Sequence, residues 1–396
     1  MLTECRGAGR QRNQQGAGRQ AGQPAQRAFH GNQHIIDGIA AMNSEEYRTI
    51  RHGAAVMRRT ARGLIAVEGP DRADFLQGLL TNDVAALGDR AGCYAAYLTP
   101  QGRMVADMDV FSLGERLLLD VHAGIAPALA ARLDALIFTE EAAVADWSGT
   151  RVSYGVHGPA AFNVAGAALA RLGAGRAAAA AVRGLGPHEC LQAVADGATA
   201  IVTRGDELGV PGLAVFADGD GAAALRAALL SAGGREIDAA TAEIVRVESG
   251  RPAFPTDMDT ETIPLEAGIE ARAISLTKGC YVGQEVIIRV LHRGGGRVAK
   301  KLVGLVLDPA VGAAESRVAV PVRGARLHHD GQPVGNVTSA VASPALGCAI
   351  ALGYVPRALA EAGTGVEVEQ DGGRTAAVVK QVPFVAALPL EATRQC

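Results

Sequence analysis

From residue 300 onward the chain consists of short apolar runs, KKLVGLVLD, ARLHHDGQPVGNVTSA, CAIALGYV and VEVEQDGGRTAAVVKQ, punctuated by Asp-Gly and Gly-Gly. Runs this short, closed by turn residues at hairpin spacing, fold as strands that return antiparallel to one another. The region is therefore expected to be a small antiparallel barrel or sandwich, with its domain spanning 299–390. Residues 331–356 carry no charge, but Pro333, Pro344 and four glycines interrupt them. Strands and turns fit that stretch better than a membrane span, and no transmembrane segment is expected.

Upstream of 299 the texture mixes strands and helices. RGLIAVEGPDRADFLQGLLTNDV reads as a strand, a Gly69-Pro70 turn and an acid-led helix with Phe75, Leu76, Leu79 and Leu80 on one face. AAYLTPQGRMVADMDVF reads as a hairpin, ERLLLDVHA as a further strand and 125–137 as a helix. SYGVHGPAAFNVAG repeats the strand, Gly-Pro turn and helix, with His157 in the place of Glu68. An alanine-dominated helical stretch over 160–183, a strand in ELGVPGLAVFAD, and helices over 221–232 and 239–248 complete the pattern.

The 396 residues are 48% apolar and 20% charged, the balance of a soluble globular protein. A net charge of −3 supplies no global field for nucleic acid or anionic lipid. The cysteines, at 5, 93, 190, 280, 348 and 396, are too scattered for a zinc or iron–sulfur site on this chain. They read as reduced thiols of a cytoplasmic protein. The first 41 residues are rich in Gln, Gly, Ala and Arg, with five arginines against Glu4 and Asp37. They read as a disordered tail or an over-extended start with Met42 as the natural beginning. A mitochondrial transit peptide, implying the matrix, is the alternative.

The densest chemistry lies in KGCYVGQE, residues 278–285. Gly279 clears space beside Cys280, and Gly283 opens a helix over GQEVIIRVLHR. A cysteine before a helix N-terminus and two residues from Lys278 sits in positive potential, which favours thiolate over thiol. The competing reading is a small residue filling a turn, with Lys278 solvated. Glu207 in DELGVPG, Glu248 in RVESGRPAF and Glu266 in IPLEAGIE are carboxylates able to meet a polar heterocycle or simply to face solvent. HRGGGRV lacks phosphate-loop spacing and reads as an interdomain connection. His328-His329 precede an Asp-Gly turn with no third ligand nearby, so no metal is expected.

KGCYVGQE, with IPLEAGIEARAISLT before it, closely resembles the signature of the YgfZ-type folate-binding proteins, in the superfamily of the glycine-cleavage T protein, an aminomethyltransferase. FLQGLLTNDV, YAAYLTPQGRMVAD, VHGPAAF, VGNVTSAVASPALGCAIALGYV and VPF extend the resemblance in order over about residues 55–388. It implies an α+β fold: a three-lobed ring of two interleaved α/β lobes over 42–298, one roughly 55–150, and a six-stranded barrel. Tetrahydrofolate, or a one-carbon derivative, would fill the central channel. Transferred by position, Glu207 resembles the acid that binds the pterin, Tyr94 a channel tyrosine and Arg246 a basic neighbour, with Glu248 beside it. The resemblance departs at GRMVAD. Aminomethyltransferases have a Gly-Gly-x-x-Asp-Asp run, and Ala106 stands at its first aspartate. Asp107 substitutes only through a one-residue shift, onto the opposite strand face.

The resemblance implies, first, a tetrahydrofolate-binding accessory protein supporting iron–sulfur cluster assembly or repair, including in tRNA-modifying enzymes. Iron–sulfur enzymes or assembly factors would be its partners. Cys280 and Lys278 would be its reactive pair, within a motif completed by Gly279, Tyr281, Gly283, Gln284 and Glu285. The alternatives are a folate-dependent aminomethyltransferase and a folate-binding scaffold without chemistry.

Overall fold

The computed structural model describes residues 45–195, 198–205, 207–293, 295–307, 319–370 and 372–386. The N-terminal stretch expected to be a tail lies outside the described residues. Three sheets organise the described chain. The first comprises β2 (Arg62–Glu68), β3 (Gly92–Leu98), β4 (Met104–Leu113), β5 (Arg116–His122) and β6 (Ala143–Asp146), antiparallel in the order β3-β4-β5-β2-β6. The second comprises β1 (Ala55–Arg58), β7 (Arg151–His157), β8 (Cys190–Ala195), β9 (Ala198–Thr203), β10 (Gly212–Asp218) and β11 (Arg235–Glu236), in the order β11-β1-β7-β10-β9-β8. The third is the expected barrel, closed and antiparallel. It runs β12-β15-β14-β13-β16-β17, built from β12 (Lys300–Leu307), β13 (Arg326–His329), β14 (Gln332–Ser343), β15 (Cys348–Pro356), β16 (Gly365–Gln370) and β17 (Gly373–Lys380). The fold is thus two α/β lobes and a six-stranded barrel. Among the described residues no helix is long and apolar enough to cross a membrane.

Successive side chains of a strand point to opposite faces, so each strand of the first sheet serves two environments. Ile65, Val67, Met108 and Leu119 pack against the helices Arg72–Gln77 and Ala126–Asp134 through Leu76, Leu129 and Leu133. On the other face Leu64, Ala66, Phe111 and Leu118 meet Cys190, Ile201, Ala214 and Phe216 of the second sheet. Two sheets are thereby joined face to face by an apolar layer. The β8–β9 hairpin supplies part of that layer and was not among the expected elements. The alanine-rich stretch is two helices, Ala161–Leu169 and Gly175–Arg183, separated by a kink at Gly173 (φ 87°).

Two buried carboxylates fasten the barrel to the α/β lobes. Glu248 ends the helix Ala239–Glu248, capped at its start by Asp238, whose carboxylate accepts from the Thr241 amide at 2.6 Å. It pairs with Arg51 and accepts from Tyr47 Oη at 2.8 Å and from Ser343 Oγ of β14 at 2.5 Å. Asp257 accepts from Arg246 at 2.7 Å, Thr338 Oγ1 at 2.5 Å and Ser339 Oγ at 2.7 Å. A bulge between Val337 and Ser339 in β14 breaks the alternation there, allowing two consecutive hydroxyls to address one carboxylate. His328, on β13 just before the Asp-Gly turn, is buried, with Nε2 2.8 Å from Glu369.

Candidate functional site

The face of the first sheet that is apolar at Leu64, Phe111 and Leu118 turns polar at its other end. Asp107 and Asp109 of β4 share that face with Asp120 and His122 of β5, Arg62 of β2 and Tyr94 of β3. Register brings them together, with Tyr94 opposite Asp109, Asp109 opposite Asp120 and Arg62 opposite His122. Tyr94, Asp107, Asp109, His122 and Arg62 line one wall of a cavity of about 260 Å³. Glu207, Arg246, Phe254 and Arg272 contribute from segments outside the sheet.

Tyr94 Oη donates to Asp107 Oδ2 at 2.7 Å, and the Arg272 guanidinium stacks 4.7 Å above the Tyr94 ring. Asp107 Oδ1 is buried and has no hydrogen-bond partner among the described residues. Burial raises the Asp107 pKa above the usual carboxylate range, against the opposing pull of Arg62 and the Tyr94 hydrogen bond. At Glu207 the balance goes the other way. Burial would raise it, but Arg59 and Arg62 outweigh that and hold it at about 2. Arg59 donates to Glu207 Oε2 and to Asp120 Oδ2, both at 2.8 Å, while Arg62 donates to Asp120 Oδ1 at 2.9 Å. The cavity thus offers one firmly ionised carboxylate and one that holds a proton more readily. His122 is kept below its ordinary value by burial and by Arg62, which favours its neutral form.

The residues expected to act fall into two groups. Tyr94, Asp107, Glu207 and Arg246 meet at the cavity; Arg246 is anchored there by Glu243, Asp257 and Ser339. Glu248 does not reach it, because its carboxylate is spent on Arg51, Tyr47 and Ser343. Cys280 is exposed on the surface and is not among the lining residues. Lys278 does not hold a thiolate. Its Nζ donates to the carbonyls of Gln77, Leu80 and Asn82 at 2.6, 2.6 and 3.1 Å, so all three ammonium protons have acceptors. Burial lowers its pKa to about 8. Tyr281 is buried with its ring 5.2 Å from that ammonium. Gly283 caps the short helix Gln284–Ile288, and Glu285, exposed, pairs with Arg289 at 2.6 Å. Gly279 is exposed and Gln284 half-buried, neither among the lining residues.

Ala106 packs into the core beneath the helices, and the opposite face, which carries Asp107, is the cavity face. Sequence reasoning missed Arg59, Arg62, Asp109, Asp120 and His122. A signal was available, namely the D-x-D of ADMDV and the D-x-H of LLLDVHA. Polar residues two apart in otherwise apolar strands share one face, and two such strands in adjacent hairpins build a polar patch.

A model of the GCVT N-terminal domain matches residues 22–278, more than half of the chain, and one of the glycine cleavage T-protein C-terminal barrel domain matches 300–385. The chain belongs to the glycine cleavage T-protein family. An aminomethyltransferase of Rubrobacter xylanophilus is 32% identical over 311 residues, 78% of this T-protein family chain and 78% of its own. One from Rippkaea orientalis is 28% identical over 346 residues, 86% and 88% of the two chains. The crystal structure of the glycine cleavage system aminomethyltransferase T from Bartonella henselae has a TM-score of 0.76 at 26% identity, covering 88% of this chain and 91% of that one. These similarities overturn the expected principal role. An accessory factor for iron–sulfur enzymes and tRNA modification finds no counterpart among these T-protein relatives, which are named aminomethyltransferases and are matched over 78–91% of their length.

Proposed function

We propose that this T-protein family member is a folate-dependent aminomethyltransferase, with tetrahydrofolate seated at the Asp107–Glu207 cavity. The observation that carries the reading is Asp107 Oδ1, a buried carboxylate oxygen with no partner among the described residues, beside an oxygen fixed by Tyr94. A buried acceptor of this kind is costly unless a ligand donor satisfies it. Glu207, ionised by Arg59 and Arg62 and with 25% of its side chain open, suits adjacent N–H donors of a pterin in bidentate fashion. A volume of about 260 Å³ suits a bicyclic head more than a whole conjugated molecule.

Bound tetrahydrofolate would supply the amine that accepts the one-carbon unit. On the protein side, Glu207 orients the ring, Tyr94 fixes Asp107 in one rotamer, and Asp107 Oδ1 accepts or returns a proton at the reacting nitrogen. Burial, by raising the Asp107 pKa above that of an ordinary carboxylate, favours that exchange. The branch within the family is inferred from KGCYVGQE alone, which resembles that of the YgfZ-type proteins. Among the described residues the four cysteines, Cys93, Cys190, Cys280 and Cys348, are free thiols, which supports a reducing, cytoplasmic setting.

The test is turnover of an aminomethylated lipoyl carrier protein, followed by release of ammonia and formation of methylenetetrahydrofolate. Asp107→Asn is expected to lower kcat by about 10²–10⁴ while tetrahydrofolate affinity changes only a few-fold. An inactive wild-type protein, or full turnover by Asp107→Asn, would overturn the proposal.

A further inference from the structure

We propose that Lys278 is a positioning residue for the cavity, acting through Arg272: it ties the 270–283 segment to the 77–82 turn and so holds the Arg272 guanidinium on the Tyr94 ring. The inference rests on the folate reading for one of its two readouts and on geometry for the other. An ammonium is buried at a cost unless each proton finds an acceptor, and Lys278 finds three carbonyls in one turn about two hundred residues earlier in the chain. The same two segments are sewn together on either side of that contact. Val282 N donates to Gly78 O at 3.2 Å, Ser275 N to Thr81 O at 3.0 Å and Thr81 Oγ1 to Ala273 O at 2.6 Å.

The path to the cavity runs through Asn82. Its Nδ2 donates to Arg272 O at 3.0 Å and to Tyr94 O at 2.9 Å, so a single amide fixes the backbones of both stacked residues. Tyr94 then presents its hydroxyl to Asp107. Lys278 gathers the carbonyl of Asn82 itself, which sets the position of that amide's own residue. Without the ammonium, three carbonyls lose their shared donor, the turn and the segment separate, and Arg272 leaves the ring. The motif that looked reactive thus works as a strap.

Two measurements on Lys278→Met, Arg272→Met and the double variant test this. The first is the rate of Tyr94 nitration by tetranitromethane, mapped by peptide mass spectrometry, which needs no folate. Each single variant is expected to raise it about tenfold, and the double variant no further, because both remove the same stacking. An unchanged rate in Lys278→Met overturns the inference whether or not folate binds. The second is the tetrahydrofolate Kd. Losses of about tenfold in each single variant that do not multiply in the double support the strap, whereas a double loss of about a hundredfold means independent effects and overturns it. Absence of binding by the wild-type protein would instead fail the folate reading and leave the nitration result standing. Should Lys278→Met lose the native circular dichroism spectrum, Asn82→Ala replaces it in both cycles with the same expectations.

Discussion

Glu207 remains ionised in a partly closed cavity because two guanidinium groups more than offset its burial. Folding therefore moves its pKa from an ordinary 4.5 to about 2. Between those values the unfolded chain binds the proton more readily, so this stabilisation is complete above pH 4.5 and drains away as pH falls toward 2. It amounts to at most about 3 kcal/mol. His157 acts in the same direction in a higher window. Its ring lies between Gly155 and Gly212, where an added Cβ would come within 2.5 and 2.3 Å of its nitrogens, and burial lowers its pKa from 6.5 to about 4. The folded imidazole stays neutral, so acid favours the unfolded chain from 6.5 downward. In Glu207→Gln, urea stability measured against pH should keep the His157 loss above pH 4.5 and show a flattened slope below it. A slope unchanged from wild type below pH 4.5 would remove Glu207 from the account.

At the scale of elements, KGCYVGQE is a docking segment. Gly283 has φ +85°, and a Cβ there would sit 2.5 Å from the carbonyl oxygen of Thr99, which belongs to the β3–β4 turn. Gly283→Ala is expected to destabilise the fold by about 2–4 kcal/mol, since a left-handed alanine and a backbone clash add. Urea midpoints decide this, and a change below about 0.5 kcal/mol would contradict it. The elements themselves were largely legible. Hairpin spacing marked an antiparallel barrel or sandwich, which closes as a barrel, and Gly-Pro turns marked both strand-to-helix corners. The β8–β9 hairpin was not seen, though its strands wall the layer between the two lobes. The role of Lys278 was equally invisible, because the carbonyls that claim it lie about two hundred residues away and carry no side-chain signature.

Taken whole, the molecule depends on buried charges where its lobes meet. Glu248 is inaccessible to solvent, and its backbone carbonyl also accepts from Phe384 N at 2.8 Å and Val385 N at 3.1 Å. One residue therefore joins the helix over 45–52, the helix Ala239–Glu248, strand β14 and the chain after the barrel. Glu248→Gln leaves Arg51 as a buried cation without its counter-charge, at a cost of about 3–5 kcal/mol. The expected result is a lowered thermal midpoint, with the barrel separating from the α/β lobes as a distinct calorimetric transition. A midpoint within a degree of wild type would show that the hub carries no such role.

Turn residues and strand periodicity act over a few neighbours, so the classes of element and an antiparallel β-domain after residue 299 were written locally, while the choice of a barrel over a sandwich came from the resemblance to the T-protein superfamily and closure is seen in the structure. Packing settled which carboxylates face the cavity and which are consumed as struts. It also decided that the cysteine in the densest motif stands outside the site while the lysine beside it serves the fold. Register, burial and ion pairing join residues distant in the chain, and a side chain's protonation follows from those partners rather than from its neighbours in sequence.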